Sequence, residues 1–193
     1  MTVKDDLPIV SHASREAWAA WLDEAHETAP GVWLKIPKAG SGQPGVSYAE
    51  ALEVALCYGW IDGQKGKLDD AFWLQRFTPR RPRSIWSRVN RDKALALIER
   101  GEMRPAGLRE VERAQADGRW DAAYEPQSAI AVPEDLRAAL DANDAAAAAF
   151  AALDSANRYA ILHRVHTAKK PETRARRIAT FVEMLADGRK IHS

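Results

Sequence analysis

Hydrophobic and polar positions alternate along this chain with periods that change several times. Trp18, Trp21, Leu22 and Ala25 recur at the i, i+3, i+4, i+7 spacing of one helix face. Ser14 stands where a cap belongs and Glu16 falls in the first turn. Pro30-Gly31 breaks that helix. Val32, Leu34 and Ile36 then alternate with Trp33 and Lys35, the period of a strand. Gly40 to Gly45 is a loop of turn residues. Ser47 and Glu50 make the S-x-x-E capping pattern and open a second helix, apolar nearly all round from Ala51 through Ala55, Leu56 and Cys57 to Tyr58. Such a helix is expected to be buried on more than one side.

After Gly59-Trp60-Ile61-Asp62-Gly63 the pattern predicts a polar turn to Asp70, then a strand over Ala71–Phe77. Pro82 pushes Arg81 out of the helical region, so Pro79–Arg83 is a loop. A helix starts at Ser84 or Ser87 and ends at Gly101. Another runs from Pro105 to Gly118, and Trp120–Ala131 is irregular. Four helices follow, opened by Pro133, by Asp144 or a neighbour, by Asp154 or Ser155, and by Pro171. In the last, Ile178, Phe181, Val182 and Leu185 form an apolar stripe that Gly188 ends.

The elements imply an α+β fold: a small, mostly antiparallel sheet packed with helices, then an all-helical C-terminal module. Composition shifts accordingly. Six of the seven tryptophans lie before residue 90, and alanine dominates after Ser128. The boundaries expected are 1–127 for the α+β domain and 128–193 for the helical one. The 193 residues, 46% of them hydrophobic, suffice for a core without a metal or disulfide staple. The single cysteine, Cys57, excludes a disulfide framework. The opening MTVKDDLPIV lacks the basic start and apolar stretch of a leader, and the longest apolar run, Ala145–Leu153, is too short to cross a membrane. A cytoplasmic location without membrane insertion is the expectation.

Charge changes the picture more. The total is +1, yet residues 72–93 carry +6, residues 158–177 carry +6, and the remainder −11. Such focusing draws anions. Arginine, which suits bidentate contact with phosphate or carboxylate, prevails in the first segment. Arg80, Arg81, Arg83, Ser84, Trp86 and Ser87 could thus form an anion-binding loop at a helix start, with Trp86 as a stacking face. The expected site is a groove where Trp60, Asp62 and Gln64 meet this loop, flanked by Lys169, Lys170 and Arg174. Equally, the arginines can pair with Asp62, Asp69 or Asp70, and Trp86 can be core.

Basic residues beside aromatics also suit single-stranded nucleic acid. Asp62 could be a general base if buried, or an anchor for an arginine. Cys57, on a buried-looking helix, reads as a packing thiol rather than a nucleophile. His163 and His166 are one turn apart but lack a supporting carboxylate. His166 is placed on the Tyr159–Leu162 face and His163 near the surface. No metal and no cofactor is expected.

Several segments carry a family resemblance. Tyr48-Ala-Glu-Ala-Leu52, Ala55-Leu-Cys-Tyr-Gly-Trp-Ile-Asp-Gly63, Arg76-Phe-Thr-Pro-Arg-Arg-Pro-Arg-Ser-Ile-Trp-Ser-Arg-Val-Asn90 and Met103-Arg-Pro-Ala-Gly107 resemble the bacterial YdeI/OmpD-associated, bacteriocin-protection family. Pro133-Glu-Asp-Leu136 and Ala168-Lys-Lys-Pro-Glu-Thr-Arg-Ala-Arg-Arg-Ile178 look like that family's helical domain. The N-terminal half is also similar to small α+β domains of the YdhG type. The resemblance implies a role in resistance to bacteriocins and cationic antimicrobial peptides, and association with an outer-membrane porin. It carries over no catalytic residue. The resulting expectation is a non-enzymatic stress-protection protein that binds an anionic small molecule or an acidic peptide. The alternatives are a nucleic-acid binder and an enzyme using Asp62 or Cys57.

Overall fold

The computed structural model describes residues 7–126 and 129–192, and the chain divides into two compact units, Met1–Ala123 and Tyr124–Ser193. The first unit is α+β. Its elements in order are β1 (Ile9–Val10), α1 (Arg15–Ala25), β2 (Val32–Pro37), α2 (Tyr48–Cys57), β3 (Trp60–Lys67), β4 (Phe72–Pro79), α3 (Arg88–Glu99) and α4 (Pro105–Ala116). The sheet order is β1-β2-β4-β3. β4 runs antiparallel to both neighbours, and β1 lies parallel to β2.

Local chemistry accounts for most of these elements. Ser14 caps α1 by accepting the Ala17 N–H, and Ser47 and Glu50 complete a reciprocal capping box on α2. Between the two serines open to it, Ser87 is the cap of α3 and accepts from Asn90. Trp18, Leu22, Val32, Leu34, Leu56, Phe77 and Trp86 form a core between the helices and one sheet face. Trp18 and Trp21 stack at 5.2 Å, and Trp60 meets Trp21 edge-on at 5.9 Å.

Two strands depart from the sequence pattern. β1 is a two-residue strand that the pattern does not announce. Residues 64–67, expected as a turn, continue β3. Their intrinsic preference is against a strand, but β4 supplies the pairing, with a register shift between Asp62 and Lys65. The fully buried Gln75 repairs that irregularity: its Nε2 donates to Gly63 O at 3.0 Å and to Gln64 O at 3.3 Å. β4 also starts one residue later and ends two residues later than the pattern suggests, at Pro79.

The end of α2 and the start of α4 meet backbone to backbone. A Cβ on Gly107 would lie 2.4 Å from Cys57 O and 2.7 Å from Leu56 O, so only glycine allows the approach. Arg104 N–H donates to Cys57 O across the same junction at 3.2 Å. Gly59 turns the chain out of α2 with φ +73°. Tyr58 and Trp60 stand on either side of it, beside α4.

The second unit is helical: α5 (Glu134–Asp141), α6 (Asp144–Ala151), α7 (Ser155–His166) and α8 (Pro171–Ala186). Leu136, Phe150, Ile161, Leu162, Ile178, Phe181 and Leu185 build its own core. Asn143 and Asp154 cap α6 and α7. The two histidines of α7 are reversed relative to expectation. His163 is half-buried between the Tyr124 and Tyr159 rings, and burial lowers its pKa. His166 is exposed, with Nε2 3.0 Å from Ala131 O. His163 lies one turn after Tyr159 and shares its face, away from the Ile161, Leu162 and Val165 stripe, so the Tyr159 and Tyr124 rings rather than the core cover it.

Candidate functional site

The Arg-rich loop is built from beneath. Arg80 is 5% exposed; its guanidinium lies 3.5 Å over the Trp86 ring, and Nη1 donates to Ile85 O. Arg119, equally buried, grips Asp117 through Nε and donates Nη1 to Ser84 O at 2.6 Å. Ser84 closes the turn with Arg81: Arg81 N–H donates to Ser84 Oγ and Ser84 N–H to Arg81 O. Trp86 packs edge-on against Trp120 at 4.9 Å. It is therefore core, and its face is taken by Arg80 rather than offered to a ligand. Arg81 and Arg83 are exposed, and the Ser87 hydroxyl is occupied as a cap.

Asp62 is held by a hydroxyl, not by one of the arginines expected as partners: Tyr48 Oη donates to it at 2.8 Å. Lys65 Nζ lies over the neighbouring rings, 4.9 Å from the centre of Trp73 and 5.5 Å from that of Tyr48. Gln64 is exposed and contributes its carbonyl to Gln75. Cys57 is buried, and desolvation pushes its thiol up to about 11, which makes it a poor nucleophile.

Of the residues singled out from sequence, the structure brings Trp60 and Arg80 together. Both line a cleft of about 320 Å³ where the end of α1, the ends of β3 and β4, and the outer face of α4 converge. The remaining charged walls come from residues the sequence did not single out. Arg109 pairs with Glu27 at 3.4 Å and Arg113 with Glu110 at 3.2 Å. A guanidinium has five donors, so each pair leaves donors over for a ligand. Trp60 donates its indole N–H to His26 O and forms an apolar wall.

Tyr58 lines this cleft and a second one, about 350 Å³, with Arg15, Cys57, Glu102 and Arg104. Its hydroxyl donates to Asp23 at 3.0 Å, and burial, then that bond, raises its pKa. Arg15 is already shared between Glu102 and Glu53, at 2.6 Å and 3.3 Å. The second cleft is lined by two arginines and the first by three. No motif marks it, because α1 and α4 are far apart in sequence and their charges look like ordinary solvated faces.

Lys169, Lys170 and Arg174 belong to the second unit. Lys169 and Lys170 are exposed, Lys170 at the cap of α8. Arg174 is a structural tie: it takes Asp135 in a two-pronged pair at 2.5 and 2.9 Å and donates to Val165 O. Its pair lowers the Asp135 pKa, chiefly through the hydrogen bond. A groove of about 570 Å³ beside it is lined by Ala139, Ala175, Ile178 and Val182. Each unit balances its own charge: the first holds eighteen acidic and eighteen basic residues, the second nine and ten. Among the described residues no group of three metal-ligating side chains occurs, and no helix is long and apolar enough to cross a membrane.

Comparison with known proteins gives two matches. Residues 10–110 match a domain of unknown function, DUF8412. Residues 129–188 match the family described as Bacteriocin-protection, YdeI or OmpD-Associated. The resemblance read from the C-terminal half thus stands. Over the N-terminal half the match found is to DUF8412, in place of the YdhG-type likeness. No curated protein and no solved structure matches the chain.

Proposed function

The chain belongs to the DUF8412 family, and from that premise we propose that it is a non-enzymatic binding protein whose first unit takes a small anionic ligand. The observation that carries this reading is the cleft in which Arg80, Arg109 and Arg113 converge around the Trp60 wall. Its volume is at the lower end for a small-molecule site. Arg80 is fixed by Trp86 and by Ile85 O, so it meets a ligand already ordered. Glu27 and Glu110 keep the other two arginines oriented and compete with the ligand for them, which favours an anion of more than one charge. Binding without chemistry agrees with the high thiol pKa of Cys57 and with the Tyr48 bond to Asp62.

The second unit's likeness to the bacteriocin-protection family supports a stress-protection role, exercised through this ligand.

The test is thermal unfolding of the whole chain with inorganic phosphate, citrate or AMP. At least one is expected to raise the midpoint in a concentration-dependent manner. Arg109→Ala with Arg113→Ala is expected to abolish that rise, each protein being read against its own ligand-free midpoint, because Glu110 is only 14% exposed and loses its partner in the variant. No rise with any of the three, or an equal rise in the double variant, overturns the assignment.

A further inference from the structure

The turn between β4 and α3 is anchored on its inner side and open on its outer side. Arg80 and Arg119 hold the carbonyls of Ile85 and Ser84 from below, and the reciprocal Arg81–Ser84 bonds close the turn. The exposed side chains of this segment include two cations and two aliphatics. Arg81 and Arg83 are exposed and, among the described residues, neither has an ion-pair partner. Ile85 is 40% exposed and Val89, in the first turn of α3, is 45% exposed. Two buried arginines thus keep in one conformation a turn whose own outward side chains have nothing to bind within the unit. Ordering that is complete before contact lowers the entropy a partner must overcome.

We propose that Arg81, Arg83, Ile85 and Val89 form a docking surface for an acidic segment of another protein, one that interleaves carboxylates with aliphatic side chains. The charge complementarity is direct, because a partner carboxylate gives Arg81 and Arg83 the bidentate contact they lack. The aliphatic pair selects against the other anionic partners. Single-stranded nucleic acid is held by stacking on exposed aromatics, and the one aromatic of the turn, Trp86, is buried. A lipid surface needs a broader apolar face than two side chains supply. The surface shares no side chain with the small-anion cleft except through Arg80, which supports both and is kept intact in the test.

The experiment is selection of displayed random peptides, about twelve residues long, against the whole chain. The selected peptides are expected to combine Asp or Glu with Leu, Ile or Val. Their affinity is expected to fall roughly tenfold in Arg81→Glu with Arg83→Glu, and by a similar factor in Ile85→Ser. Circular dichroism checks that the variants fold; Arg81→Gln with Arg83→Gln replaces the charge reversal if it does not. Failure to select any such peptide overturns the proposal, as does binding insensitive to both changes. Sensitivity to charge reversal alone, or a loss of oligonucleotide or anionic-vesicle binding in Ile85→Ser, overturns it too. The cleft test uses Arg109 and Arg113, so the two readings fail independently.

Discussion

Arg80 and Arg119 each place a charge in the interior and use it to fix a loop's backbone. A buried guanidinium is costly unless its donors are engaged, and here a ring face, carbonyls and Asp117 engage several of them. Sequence alone could list these arginines as basic but could not say which turn inward. The same limit explains Trp86, whose fate depends on Trp120 and Arg80, distant or bulky neighbours no local pattern reveals. Cys57 was legible, because a helix apolar on all sides leaves a thiol only packing to do. Its pKa, raised from 9.0 to about 11 by burial, yields a prediction. Below pH 9.0 the thiol is protonated in the folded and the unfolded chain alike, so it contributes no pH dependence. Above that, the unfolded chain releases the proton first, and stability falls until the folded thiol titrates near 11. A soluble disulfide reagent at neutral pH is expected to label the folded chain far more slowly than the urea-unfolded one. Equal rates would show an accessible, reactive thiolate.

The helices announce themselves through their caps, and the strands only in part. Ser14, Ser47 and Ser87 sit where local hydrogen bonding alone would put helix starts, and each does cap a helix. β3 was not legible as a strand: Gly63-Gln64-Lys65-Gly66 takes its conformation from β4 and from Gln75, contacts no local pattern reveals. β1 draws its pairing entirely from β2. The junction of α2 with α4 is equally non-local and rests on a single missing side chain. Gly107→Ala is expected to destabilise the chain by about 2–3 kcal/mol, since a methyl group 2.4 Å from Cys57 O forces the helices apart. Urea unfolding measures this. The same displacement moves Ala106 and Arg109, so ligand stabilisation at the cleft is expected to fall as well.

Each unit of the whole molecule has its own apolar core, and all seven tryptophans lie in the first. Tryptophan emission therefore reports the first unit, while the far-ultraviolet helical signal draws on both. Ile161→Ala, at a fully buried position of the second unit, is expected to remove about 3 kcal/mol there. The helical transition should then shift to lower urea with the tryptophan midpoint unchanged. A shared shift would show that the units unfold as one. The cleft was not legible in the sequence, because its walls come from residues 26–27, 58–60, 79–80 and 106–113. Net charge was a poor guide for the same reason: part of the acidic background sits in ion pairs, as at Glu53, Glu102, Asp117 and Asp135. The sheet has a further consequence at this scale. β3 is an outer strand carrying exposed Lys65 and Lys67, and its pairing register is interrupted after Asp62. A strand from a neighbouring molecule would have to crowd two ammonium groups and follow a broken ladder, so this edge guards concentrated solutions of the protein against fibrous aggregation.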